Sequence, residues 1–334
     1  MTEAYVEIRD LGVSFGGPAK PLRAVKGVSL SIRAGETVAL IGESGSGKSV
    51  TMRAIMRLNP ERRTKIAGTI RVGGRDVMAM DRRTLSAYRG GEVAMVFQEP
   101  LLALDPVYTV GQQIVETIRR HEPVSAAEAR ARALALFERV RIPSPAQRLD
   151  AYPHEMSGGM RQRAMIALAL CCNPKLLLAD EPTTALDATV QIQVLLLLRE
   201  LQRDFGLGIL FVTHDIGAAV EVADRIAVMY AGRIVEEGPV RDVIREPRHP
   251  YTIGLLRSRA HGAMMKGQPL EAIPGGPPDL SRLPPGCPFA PRCFLAADPC
   301  RSLAPELTPL GPGRAARCLR LDRTAGAAGA PVAE

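Results

Sequence analysis

Residues Gly42-Glu-Ser-Gly-Ser-Gly-Lys48-Ser49 have the types and spacing to hold a phosphorylated ligand. Gly42, Gly45 and Gly47 let backbone N–H groups turn inward with no side chain in the way. Lys48 is placed to reach the β and γ phosphates, and the Ser49 hydroxyl to ligate Mg²⁺. A helix opening at Lys48 would point its partial positive end at the anion. Two further groups belong to the same chemistry. Asp180-Glu181 ends the apolar run Lys175-Leu-Leu-Leu-Ala, where one carboxylate can hold Mg²⁺ and the other can polarise an attacking water. Ser157-Gly158-Gly159 offers a hydroxyl and bare N–H groups at a helix start, as a cap or an anion site. His214 follows an apolar run and can cap a helix or donate to a phosphate. Gln98 ends another such run and can hydrogen-bond a water or a metal shell. Phe15 is either core or a stacking face for a base.

The elements that must position these groups alternate between strand and helix. Thr37 to Ile41 reads as a buried strand, and Met52, Ile55, Met56 and Leu58 give Val50–Leu58 helical spacing. Tyr5 to Phe15 and Val28–Ile32 read as strands, with Gly16, Gly17, Pro18 and Pro21 marking the turn between them. Gly68–Val72 and Glu92–Phe97 follow as strands. From Thr109 to Val140 two stripes, Val110/Ile114/Val115/Ile118 and Ala129/Ala133/Leu136/Phe137/Val140, predict an all-helical insertion that ends at Pro143 and Pro145. A helix is expected from Ser157 to about Cys172. Asp187 is expected to N-cap another, whose face carries Val190, Val194, Leu197 and Leu201. Gly208 to Thr213 is a further buried strand. The pattern is α/β to about residue 246.

Composition sets broad limits. With 46% hydrophobic, 23% charged and 4% aromatic residues and no Trp, the chain has a globular composition and few rings for base stacking. A net charge of +8 and a pI near 9.4 decide nothing alone. The acidic N-terminus does not read as a secretory signal, and the longest apolar run, Ala164–Cys172, is too short to cross a bilayer. After Glu246 the chain changes character, because 15 of the 27 prolines lie from Pro247 onward. Apart from a helix near Tyr251–Arg259, such proline density argues against regular helices or sheet. Residues after Leu321 read as a flexible Ala/Gly tail. Cys287, Cys293, Cys300 and Cys318, spaced C-x5-C-x6-C-x17-C, could ligate one [4Fe–4S] cluster or tetrahedral zinc. The lack of C-x2-C knuckles favours iron–sulfur, and four free thiols are the alternative. Cys171 and Cys172 read as core.

The order of these segments carries a resemblance. Gly42–Ser49, Gln98, Met156-Ser-Gly-Gly-Met-Arg-Gln-Arg163, Leu176–Glu181, Thr184-Ala-Leu-Asp187 and His214 resemble the motif set of ABC-transporter ATPases over residues 1 to about 250. The signature's usual Leu and Gln are Met156 and Met160 here. His249-Pro-Tyr-Thr252, Pro274-Gly-Gly-Pro-Pro and Pro285-Gly-Cys-Pro-Phe-Ala-Pro-Arg-Cys293 are similar to the C-terminal extension of dipeptide and oligopeptide permease ATPases. Members of that subfamily are also reported to carry an iron–sulfur cluster.

The resemblance implies a P-loop ABC ATPase domain over 1–246, with a mixed sheet core, an antiparallel β subdomain and a helical signature subdomain at about 99–165. A small irregular Pro/Cys-rich C-terminal domain would span 247–321 and a tail 322–334. It implies an ATP site lined by Phe15, Gly42, Glu43, Ser44, Gly45, Ser46, Gly47, Lys48, Ser49, Val50, Gln98, Asp180 and His214. Ser157, Gly158, Gly159, Met160 and Asp187 would complete that site from a second ATPase subunit, identical or a sister. Phe15 would stack on adenine. Ser49, Gln98 and Asp180 would hold Mg²⁺. Glu181 would be the hydrolytic base, with Lys48, Gln98 and His214 assisting.

Two integral membrane permeases, an indirect solute-binding protein and no nucleic acid are the implied partners, at the cytoplasmic face of the cell membrane. Di/oligopeptides are the implied cargo. Nickel, glutathione, opines and sugars are imported by the same subfamily. A soluble ABC ATPase of translation or DNA repair is the alternative of another class, although two cassettes or a long coiled coil would then be expected. A GTPase would need an Asn-Lys-x-Asp guanine reader, which is missing.

Overall fold

A computed structural model describes residues 4–17, 21–184, 186–258 and 272–325. Twelve strands lie along the described residues. They are β1 (Ala4–Phe15), β2 (Leu22–Arg33), β3 (Thr37–Ile41), β4 (Thr64–Val72), β5 (Arg75–Asp76), β6 (Val93–Val96), β7 (Leu176–Asp180), β8 (Gly208–Thr213), β9 (Arg225–Tyr230), β10 (Arg233–Pro239), β11 (Thr308–Gly311) and β12 (Arg314–Ala316). The chain divides into two compact units: Met1–Val6, Ile32–Thr37 and Arg71–Val212 in one; Glu7–Ser31, Val38–Ile70 and Thr213–Glu334 in the other.

In the first unit β6, β7 and β8 run parallel, with Val93 opposite Leu176 and Asp180 opposite Val212. Every residue of β6 and β7 is buried. Continuous apolar runs of this kind suit strands covered on both faces. The helical insertion follows: Val110–His121, Ala126–Arg139, Pro145–Leu149 and Gly158–Leu170. Of the expected stripes, Val110, Ile114 and Ile118 are buried on the first helix and Ala129, Ala133 and Phe137 on the second, with Val140 buried at its end, while Val115 and Leu136 are half-buried. Burying each of the larger aliphatic side chains contributes roughly 1.5–3 kcal/mol. Thr109 and Gln112 close a reciprocal capping box at the start of this block. A helix over Arg82–Gly91, capped by Asp81, was not expected from periodicity, since it buries only Leu85 and Tyr88.

In the second unit β3 runs parallel to β9, and β10 returns antiparallel to β9. β2, β1 and β4 are neighbours in a separate sheet, in that order. The C-terminal extension departs from expectation in one respect. Most of its described residues are irregular, but β12 pairs with β10 (Glu236 opposite Ala316) and β11 pairs with β12. The reason is where the prolines fall. β12 has none and can bond on both sides, whereas Pro309 sits in β11 at the edge, where a missing N–H is tolerated.

A helix over Pro250–Arg257 buries Tyr251, and Tyr230, Tyr251 and Phe289 form an aromatic cluster with ring centroids 4.6–5.4 Å apart. Arg259 lies outside the described residues. Leu321–Thr324, expected at the edge of a flexible tail, is a helical turn whose Thr324 is buried and accepts from the Arg248 guanidinium. Among the described residues no helix is long and apolar enough to cross a membrane.

Candidate ATP site and its supports

The phosphate loop leaves β3 at Gly42 (φ 155°) and enters the helix Lys48–Ile55 through Gly47 (φ 107°). These two glycines are required by space as well as by φ. A Cβ on Gly42 would collide with the Met229 carbonyl, and one on Gly47 would lie 2.7 Å from the Ala24 oxygen. Gly47 provides no side-chain cap to the helix, so the N-cap residue itself leaves room for an anion there. Lys48 is buried and its ammonium donates to the carbonyls of Gly42 (2.7 Å) and Glu43 (3.1 Å), which holds the positive charge against its own loop. Ser44 and Gly45 are exposed, whereas Ser49 and Val50 are half-buried in the first helical turn. In this same unit Phe15 is half-buried at the end of β1, and His214 is exposed in the turn before the helix Ile216–Val222. Asp215, not His214, caps that helix by accepting from the Gly217 N–H.

The candidate carboxylates stand at the end of β7, in the first unit. Asp180 is 4% exposed at its last position. Glu181 then adopts φ 46°, a left-handed backbone that costs a non-glycine residue roughly 1–2 kcal/mol. Its N–H bonds to the Val212 carbonyl at 2.9 Å, which keeps the turn in place. Its carboxylate accepts from Gln98 Nε2 at 3.3 Å and from Thr184 Oγ1 at 3.1 Å. Gln98 and Glu181, 83 positions apart, thus meet at one hydrogen bond. Thr184 was missed as a partner, since a threonine three residues beyond an acid carries no signal of its own.

Ser157 and Asp187 both prove to be helix caps. Ser157 Oγ accepts from the Met160 N–H at 3.3 Å, and Asp187 accepts from the Val190 N–H at 2.9 Å. Ser157 and Gly158 are exposed, Gly159 and Met160 half-buried and Met156 buried. Gly159 is needed because a Cβ there would stand 2.8 Å from Val190 Cγ1 on the next helix.

The hard oxygen donors Ser49, Gln98 and Asp180 suit Mg²⁺ in kind. The cysteines are less simple. All six are free thiols. Burial pushes Cys287 up, Cys293 up to about 12 and Cys318 up to about 11, and the thiolate of Cys293 would also be repelled by Cys318, Cys287 and Cys300. The four sulfurs therefore share one neighbourhood. Among the described residues, however, no three His, Cys, Asp or Glu side chains are arranged to hold a metal ion. Soft donors are present, and the ligand geometry for the expected cluster is not assembled. Cys171 and Cys172 are buried, as expected of core.

Sequence reading also missed what His249-Pro-Tyr-Thr252 does. His249 Nδ1 accepts from the Tyr251 N–H at 3.0 Å and caps the helix Pro250–Arg257. Burial, with the Arg317 charge nearby, pushes the imidazole down to about 3. Its folded value lies below the ordinary 6.5, so on acidification the unfolded chain takes up this proton first. Stability from His249 is complete above pH 6.5 and is lost as pH falls toward 3, by up to about 1.4 kcal/mol per pH unit. Glu236, whose carboxylate accepts from the His249 N–H and whose own value is raised by burial, works in the opposite sense. His249→Asn keeps a capping acceptor that does not titrate. Urea unfolding at pH 7 and pH 5 should show the wild type losing roughly 2 kcal/mol more than the variant. Equal losses would remove His249 from the acid limb.

Comparison with known proteins places the chain in a family. The ABC transporter family model matches residues 25–184, and the model of the oligopeptide/dipeptide transporter C-terminal region matches residues 235–300. A peptide import ATP-binding protein of Brucella melitensis biotype 1 is 49% identical over 329 residues, which cover 95% of this chain and 97% of the relative. The oligopeptide transport ATP-binding protein OppD of Salmonella typhimurium is 45% identical over 94% of this chain and 93% of its own length. Among solved structures, a dimeric post-hydrolysis state of the ATP-binding cassette MJ0796 bound to ADP and Pi matches with a TM-score of 0.63. It is 29% identical and covers 71% of this chain and 99% of that one. On identity across nearly its whole length, the chain belongs to the family of ABC transporter ATP-binding proteins that carry the oligopeptide/dipeptide C-terminal region.

Proposed function

We propose that this chain is the ATP-hydrolysing subunit that energises an importer of di- and oligopeptides. The observation that carries the hydrolytic half is Glu181, set in a left-handed turn after β7 with its carboxylate fixed by Gln98 and Thr184. A carboxylate so held can orient a water toward a γ-phosphate. Lys48 and the N–H groups of residues 42–49 bind the phosphates, Phe15 stacks on adenine, and His214 donates to the γ-phosphate. Ser49, Gln98 and Asp180 would hold Mg²⁺, which would neutralise charge on the transferring phosphoryl group. The peptide half is supported by the match of the C-terminal region and by the names of the relatives.

A second ATPase subunit, the same chain or a sister, completes each site with its Ser157–Met160 and Asp187. The exposure of Ser157 and Gly158 supports that role. Two membrane permeases dock on the segment after Gln98. There Leu101, Val107 and Tyr108 are 54%, 69% and 52% exposed, an apolar face that fits a partner. The chain then works as a peripheral protein on the cytoplasmic side of the membrane, and a solute-binding protein meets it only through the permeases. Co-expression with its permeases in vesicles should give ATP-dependent peptide uptake. Hydrolysis with no permease association and no uptake would favour a soluble ATPase instead.

The four cysteines are proposed to bind a [4Fe–4S] cluster on donor chemistry alone. Anaerobic purification should give brown protein with about four irons and four sulfides per chain. Colourless protein with stoichiometric zinc overturns this assignment.

A further inference from the structure

Arg292 has no part in the chemistry above, yet it is 8% exposed and reaches the phosphate loop from 249 positions away. Its guanidinium grips Glu43 as a fork, Nη1 to Oε2 at 2.7 Å and Nη2 to Oε1 at 2.9 Å. Nε donates to the Pro274 carbonyl at 2.9 Å, so the fork has one orientation. Planar two-point pairing of this kind fixes geometry as well as charge. Tyr251 adds a second hold, since its hydroxyl accepts from the Glu43 N–H at 2.7 Å. The Glu43 carbonyl in turn accepts from Lys48 Nζ and from the Ser46 N–H. Every polar group of Glu43 is thereby engaged, two of the three by the C-terminal extension.

The extension also covers the loop. Glu43, Ser44, Gly45 and Ser46 line one wall of a cavity of about 300 Å³, and Pro277 to Leu280 line another. Arg292 is itself held on a tight turn, with Ala290 N–H bonded to the Cys287 carbonyl and Arg292 N–H to that of Phe289. It is not a swinging surface arginine.

We propose that Arg292 is a positioning residue for nucleotide binding: through Glu43 it sets the shape of the phosphate loop, and ATP affinity depends on the C-terminal extension. The inference rests on reading Gly42–Ser49 as the phosphate site. A loop that must present several N–H groups to one anion loses affinity when its first turn is free to shift, since small misplacements are costly. The interaction is made equally before and at the transition state. It therefore acts on KM and leaves kcat at saturation unchanged.

The test uses the full chain, with MgATP binding by calorimetry and steady-state hydrolysis. Arg292→Gln should weaken binding and raise KM by about 10- to 100-fold with kcat within about twofold. Arg292→Lys keeps the charge and loses the fork, so it should fall between. Glu43→Gln should match Arg292→Gln, and the double variant should be no worse than either, because both remove one interaction. Arg314→Gln breaks a pair with Glu246 in the same extension, away from the loop, and controls for general loosening. A structural role alone would lower melting temperature in both arginine variants and shift affinity alike. Lys48→Ala separates the two levels. If it binds MgATP like wild type, the phosphate-site reading fails. If it does not, and Arg292→Gln or Arg292→Lys binds within twofold of wild type, or the Arg292 and Glu43 effects add, this inference alone is overturned.

Discussion

Glu181→Gln should lower ATP hydrolysis by about 10²- to 10⁴-fold while leaving ATP affinity within a few-fold of wild type. The substitution is isosteric, and the remaining side-chain oxygen can still accept from Gln98 Nε2 and Thr184 Oγ1. The left-handed turn at φ 46° is kept as well, because Gln pays the same backbone cost as Glu. What is lost is the negative, basic oxygen that orients and polarises water. Binding is governed by other groups, chiefly the loop N–H donors and Lys48. Single-turnover hydrolysis and equilibrium binding of MgATP, measured on the same preparation, separate the two. Wild-type turnover in this variant would remove Glu181 as the base.

The second large effect concerns which chain a defect belongs to. Lys48→Ala should abolish nucleotide binding on its own chain, since it removes the ammonium seated on the loop. Ser157→Arg places a long cation on an exposed cap more than a hundred positions away, so it should leave that chain's binding intact and prevent closure on the partner's nucleotide. Each variant alone should be inactive. Mixed one to one in a self-pairing chain, half the dimers are hybrids, each with one intact site, which predicts about a quarter of wild-type activity. The double variant Lys48→Ala/Ser157→Arg, mixed with wild type, provides the control. Where a sister ATPase is the partner, the same pair of variants is divided between the two subunits. No recovery in the mixture of the two single variants would mean that the signature segment does not act across chains.

Much of this site was legible from residue types. Gly42, Gly47 and Lys48 sit where a strand–loop–helix phosphate site puts them, because φ, space and charge each restrict the choice. The two helices over residues 110–139 follow from two apolar stripes whose members are mostly buried, whereas Pro145, expected to end the block, opens a further short helix, Pro145–Leu149. Asp187 as a helix cap was readable from its place before Val190 and Val194. In the proline-rich extension only the sheet pairing was not foreseen, because proline density argues against sheet only where the prolines occupy paired positions. Pro309 falls on an edge strand, and Arg314–Ala316, which has no proline, is left to pair. The cysteine spacing suggested a ligand set, yet spacing in a loop does not place four sulfurs at four corners.

Local chemistry, then, was determined along the chain itself. Loop, strand-end carboxylates and helix caps are set by neighbours within a few residues, where backbone geometry leaves few alternatives. Tertiary structure alone decided the contacts that span the chain: Gln98 on Glu181, Tyr251 on the Glu43 N–H and Arg292 on its carboxylate, at separations of 83, 208 and 249 residues. Such pairs have no period and no spacing rule. They exist only once separate elements have packed and buried their polar groups, which must then find partners where they stand.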